Sequence, residues 1–120
     1  MSYGTELVID LHECKTVATR EVIKDFMREL CDLIDMERAD LFFWDYDDLE
    51  EQAAAPDHLS GISAVQFITT SNVTIHTLDR LKSVYLNIFT CKKLKAAEAL
   101  EFCEEFWGGK AVSNTILVRT

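Results

Sequence analysis

Three short strand-like segments, 62–69, 72–78 and 83–90, follow one another almost without pause, and they constrain this chain more than anything else in it. In the last of them Val84, Leu86, Ile88 and Thr90 share one face, with Tyr85, Asn87 and Phe89 on the other. That is the period of two expected of a half-buried strand. Connections this short suit hairpins and not crossovers, so the block predicts antiparallel pairing.

The flanking segments complete the order. Residues 7–14 begin as an apolar run and then alternate, which suits a strand. From 20 to about 36, Val22, Ile23, Phe26, Met27, Leu30, Cys31, Leu33 and Ile34 recur at helical spacing, with Thr16 or Thr19 available as the cap. The aromatic-rich 39–46 segment predicts another strand. Residues 47–60, with Pro56 and an acidic run, predict a loop with at most one helical turn. Helical period returns over 94–107 and ends at Gly108-Gly109, and 111–118 supplies a last strand. The order β-α-β-β-β-β-α-β implies an α/β (α+β) two-layer sandwich, a largely antiparallel sheet with two helices on one face. At 120 residues, all of it is expected to form a single domain, 1–120.

Charge narrows the partners. A formal net charge of −9 argues against nucleic acid, whose binding is dominated by cationic contacts to phosphate. The run Asp45-Tyr46-Asp47-Asp48-Leu49-Glu50-Glu51 is either a solvated loop or a rim that attracts a cationic substrate. No apolar run approaches the roughly 20 residues that span a bilayer, and no charged leader precedes an apolar stretch, so a cytoplasmic protein without a membrane partner is expected. The four cysteines show neither CxxC pairing nor zinc-like spacing. Cys31 and Cys103 occupy apolar helical positions and read as core residues.

Ser63, Ser71, His76 and Cys91 fall within one short stretch and are the residue types needed to make and use a pyruvoyl group. In that chemistry a serine hydroxyl attacks the carbonyl of the preceding residue, moving the acyl group from nitrogen to oxygen. Hydrogen-bond donors stabilise the oxyanion. A base then removes the serine α-proton, the ester eliminates, and hydrolysis leaves a ketone that forms a Schiff base with a substrate amine and acts as an electron sink. Ser71 is the natural nucleophile, eight residues after Ser63 and five before His76. On alternating strands Ser71 and His76 are not same-face neighbours, so a turn or bulge near Ser71 is expected. Each residue alone also has an ordinary structural reading, Cys91 as a strand cysteine and His76 as a satisfied core histidine.

The segment from Gly61-Ile62-Ser63 through Ser71-Asn72-Val73-Thr74-Ile75-His76-Thr77 resembles, without a gap, the processing region of the prokaryotic S-adenosylmethionine decarboxylases. Phe89-Thr90-Cys91 falls at the family distance from His76, and Leu11-His12-Glu13-Cys14 is similar to the family's first strand. The resemblance implies a self-processing, pyruvoyl-dependent decarboxylase linked to polyamine (spermidine) synthesis, acting on a small cationic substrate. Cleavage would fall between Thr70 and Ser71, and Ser71 would become the pyruvoyl group. Ser63 and His76 would assist processing, His76 as the base, and Cys91 would reprotonate the substrate α-carbon. It further implies a homodimer whose active sites draw residues from both chains, and no metal.

The chain departs from the family pattern in several places. Thr70 replaces a glutamate before the serine, and Asn72 replaces a histidine after it. Where the family continues with an aromatic residue that stacks adenine, and with a glutamate that holds the ribose, this chain has Leu78-Asp79-Arg80. Leucine offers no stacking face, and arginine reverses the charge. Two readings follow: a decarboxylase whose substrate differs, with Arg80 gripping the carboxylate of an amino acid such as ornithine or arginine, or an unprocessed, catalytically silent homologue acting as a binding subunit. Arg80 also reads as an ordinary surface residue.

Overall fold

A computed structural model describes residues 3–120. Six strands form one antiparallel sheet: β1 (Gly4–His12), β2 (Arg38–Trp44), β3 (Ser63–Ile68), β4 (Ser71–Leu78), β5 (Ser83–Thr90) and β6 (Lys110–Arg119). Their spatial order is β2-β3-β4-β5-β1-β6. Helices α1 (Arg20–Leu33) and α3 (Ala96–Trp107) join the sheet in a single hydrophobic core. The alternation anticipated for β5 recurs in the burial of β3 and β4 and sorts the sheet into two faces. Leu7, Ile9 and Leu11 of β1, Ala64 and Ile68 of β3, Val73 and Ile75 of β4, and Val84, Leu86 and Ile88 of β5 are buried beneath the helices.

Both long helices form for local reasons. Thr19 is the α1 cap, its Oγ1 accepting from the Val22 N–H at 3.1 Å, a contact whose loss costs about 1 kcal/mol. The apolar stripe then lays Ile23, Phe26, Met27, Leu30 and Cys31 into the core. Phe26 packs against Phe102, Phe106 and Trp107 of α3, with ring centroids 5.8, 5.1 and 5.4 Å apart. Gly108, in the left-handed region at φ 64°, ends α3 as its sequence predicts.

Several boundaries shift. The first strand stops at His12 because Glu13 takes φ 57°, and α1 stops at Leu33 with Asp35 at φ 56°. The segment 47–60 holds a six-residue helix, α2 (Leu49–Ala54), and a 3₁₀ turn, Asp57–Leu59. Its acidic run is partly committed: Asp48 caps α2 through the Glu50 N–H at 2.8 Å, and Asp45 pairs with Arg20 at 2.5 Å. Two of those acids are therefore structural and not part of a free rim. None of the helices among the described residues is long and apolar enough to cross a membrane.

Candidate active site

The β3–β4 hairpin carries three of the four predicted residues and places them at its two ends. Ser63 and His76 are cross-strand partners on the face away from the helices, with Ser63 Oγ and His76 Nδ1 2.8 Å apart. Gly61 and Thr77 fix this pair. The Thr77 N–H donates to the Ile62 carbonyl at 2.9 Å, and the Ile62 N–H donates to Thr77 Oγ1 at 2.9 Å. A Cβ on Gly61 would stand 1.6 Å from the Thr77 carbonyl oxygen, so the Gly-x-Ser segment tolerates no side chain at its first position.

The other cluster sits at the hairpin tip. Ser71 opens β4 on the helix-side face and is only 7% exposed. Its Oγ accepts from the Cys91 N–H at 3.2 Å, while the Cys91 thiol donates to the Thr70 carbonyl at 3.2 Å. Cys91, which follows directly on β5, thus touches both the hydroxyl that would attack and the carbonyl that would be attacked. The expected turn lies just before Ser71, and no bulge interrupts β4, whose register with β3 and β5 is continuous. Strain is concentrated in Thr70 instead. A β-branched residue at φ 58° occupies a conformation normally left to Gly or Asn, at a cost of order 1–3 kcal/mol. Its hydroxyl donates back to the Thr69 carbonyl at 2.7 Å. Thr70 and Ser71 border a cavity of about 230 Å³ that Glu37 and Lys92 also line.

These two clusters do not meet in one chain. Ser71 and His76 project from opposite faces of β4, and five residues of strand separate them by about 17 Å. Arg80 lies apart from both. Its guanidinium donates to the carbonyls of Gln52, Ala53 and Ala55 at 2.7, 2.7 and 2.6 Å and to Asp57 Oδ1 at 3.2 Å. The expected role of gripping a substrate carboxylate finds a side chain already committed to closing the end of α2, where unpaired carbonyls attract a cation.

Among the four cysteines only Cys91 is exposed. Burial pushes the thiols of Cys31 and Cys103 up to about 11 and about 12, and raises Cys14 as well. They are inert core residues at neutral pH. No group of three or more His, Cys, Asp or Glu among the described residues is placed to hold a metal.

Sequence reading missed the surroundings of Ser63 and His76. A cavity of about 360 Å³ above them is lined by Trp44, His58, Leu59, Leu78 and Tyr85. The only available signal was parity: Trp44 pairs with Ser63, Ser63 with His76, and His76 with Tyr85, one row across four strands.

The fold has a solved counterpart. The crystal structure of the adenosylmethionine decarboxylase from Aquifex aeolicus VF5 superposes with a TM-score of 0.78 at 14% identity, covering 98% of this chain and 91% of that one. No curated protein sequence matches the chain. The profile of the S-adenosylmethionine decarboxylase family, however, matches residues 5–120, nearly the whole length. On that match the chain belongs to the S-adenosylmethionine decarboxylase family.

Proposed function

We propose that this protein is a self-processing, pyruvoyl-dependent decarboxylase that cuts itself between Thr70 and Ser71. The observation that carries this reading is the double contact of Cys91, N–H to Ser71 Oγ and thiol to the Thr70 carbonyl. An acyl shift from nitrogen to oxygen needs the hydroxyl held and the carbonyl polarised, and one residue does both. A donor aimed at the developing oxyanion is worth roughly 10²–10³ in rate. The left-handed Thr70 adds strain at the bond to be broken. After the shift, removal of the Ser71 α-proton expels the Thr70 carboxylate, and water releases ammonia to leave the ketone. These residues fit a pyruvoyl group at position 71, which supplies an electron sink for decarboxylation of a bound amine. Cys91, exposed beside it, is placed to return a proton to the substrate carbon.

His76 reaches this chemistry only from another chain. In the proposed homodimer the Ser63–His76 pair of one protomer serves the Thr70–Ser71–Cys91 corner of the other. Thr70, Cys91 and His76 are all exposed, as this requires. The open sheet face also shows Phe42, Trp44 and Phe67, a patch of the kind subunit interfaces cover. A small cationic substrate and a place in polyamine (spermidine) synthesis in the cytoplasm belong to the same proposal. A second reading, a silent binding subunit, rests on the separation of the two clusters: a chain that stays monomeric would leave His76 without a reaction to serve.

Intact mass of fresh and long-incubated protein, with Ser71→Ala beside it, tests the proposal. Fragments 1–70 and 71–120 are expected from the wild type alone, the second one ammonia lighter than the simple hydrolysis product. A wild-type chain that stays whole at every time point would overturn it.

A further inference from the structure

We propose that α2 is a docking element whose acidic surface lies, in the homodimer, against the Lys92–Lys93 segment of a second copy of this chain. The proposal rests on the homodimer reading above and adds the contact that sets the two protomers in register. In its own chain α2 covers nothing. None of its residues from Leu49 to Ala54 is buried, and Leu49 is 81% exposed. So short a helix is not stable by itself. It is held from outside, by Asp48 at its start and by Arg80 on the carbonyls of Gln52, Ala53 and Ala55. Arg80 stands two residues beyond the end of β4, so these bonds keep α2 at the end of the hairpin that carries Ser63 and His76.

What this element presents is negative charge. Asp47, Glu50 and Glu51 are exposed and have no ion-pair partner among the described residues. The opposite sign collects at the hairpin tip, where Cys91 runs directly into Lys92, Lys93 and Lys95. Lys95 is taken by Asp35 at 2.7 Å. Lys92 reaches only the Asp35 carbonyl, at 3.5 Å, and Lys93 pairs with no acid among the described residues.

A dimer that brings the Ser63–His76 pair of one protomer to the Thr70–Ser71–Cys91 corner of the other brings these two runs together as well. Asp47 follows Trp44, the cross-strand partner of Ser63, by three residues, and Lys92 adjoins Cys91. Twofold symmetry makes the contact twice. Two chains of net charge −9 repel each other, and acid set against lysine offsets that repulsion in this orientation while others keep it. The contact gives α2 the cover that its own chain lacks, and it gives Arg80 a part in assembly in place of a part in substrate binding.

Sedimentation equilibrium of the uncleavable Ser71→Ala chain supplies the test, with Lys92→Glu/Lys93→Glu and Glu50→Lys/Glu51→Lys as variants of it. All four positions are exposed, and far-UV circular dichroism checks that each variant folds. Either variant alone sets like charges against each other at both contacts, and its dimer dissociation constant should rise roughly 100-fold at low salt. Mixed, the two restore opposite charges at both contacts, and the heterodimer should return to within about tenfold of the parent affinity. The parent dimer itself should weaken as salt rises from about 0.05 M to about 0.5 M. Variants that dimerise as tightly as the parent, or a mixture that binds no better than either variant alone, would overturn the proposal. A parent that stays monomeric would remove the homodimer reading and this contact with it. Wild-type cleavage is followed separately by mass. A charge-paired dimer that stays uncut would sink the decarboxylase reading alone, and a cleaving dimer indifferent to these charges would sink this one alone.

Discussion

The two ends of the β3–β4 hairpin are built on different principles. At the tip, the corner of Thr70, Ser71 and Cys91 is made largely of main chain: an N–H, a carbonyl and a strained φ do the positioning, and Ser71 is buried. At the base, Ser63 and His76 meet side chain to side chain on an open surface, aligned by register and by the Gly61–Thr77 contact. A tip built from backbone is suited to breaking a bond in that backbone. A base built from exposed side chains is suited to working on something that arrives from outside, whether a ligand or another protomer.

The most damaging way to break this contrast is at the tip. Cys91→Ala removes the thiol from the Thr70 carbonyl, and cleavage at Ser71, followed by mass against time, should slow by about 10²-fold. Cys91→Ser keeps a donor and should lie between. Unchanged cleavage in the alanine variant would deny the thiol its part. At the base, Gly61→Ala forces a Cβ into the Thr77 carbonyl. Urea denaturation should show a loss of about 3 kcal/mol, at the upper end for overpacking. A stability equal to wild type would mean that the close approach is not held in solution. The smallest effect separates strain from chemistry. Thr70→Gly relaxes the left-handed residue and should stabilise the uncut chain by about 1 kcal/mol while slowing its cleavage. Faster cleavage of a stabilised chain would remove strain from the mechanism.

Much of the fold is legible because its signals are local. Alternation in β5 and the stripe of α1 each lie within one segment, and parity alone set Ser71 and His76 on different faces. What escaped depends on contacts distant in sequence. The short α2 is closed by Arg80, 28 residues beyond Gln52, so no local pattern announces it, and the same contacts withdraw Arg80 from any site. The meeting of Cys91 with Ser71 spans 20 residues and was foreshadowed only by family spacing. The aromatic content of 39–46 marked a strand but not the row of Trp44, Ser63, His76 and Tyr85, because register across a sheet edge is set by pairing. The last strand was recognised from its apolar residues, yet Ile116 and Val118 are 54% and 64% exposed. Period two identifies a strand without telling whether anything covers it.

The central claim is that the two hairpin ends are halves of one self-processing centre, joined between protomers. Co-expression of Ser71→Ala and His76→Ala chains carrying different tags, followed by intact mass of each, addresses it most directly. In the mixed dimer one corner has an intact Ser71 facing an intact His76 on its partner. The account predicts that the His76→Ala chain, uncut when expressed alone, is cleaved at Ser71 in the mixture, while the Ser71→Ala chain stays whole. A His76→Ala chain that cuts itself unaided, or that remains uncut beside its complement in a confirmed mixed dimer, would contradict it.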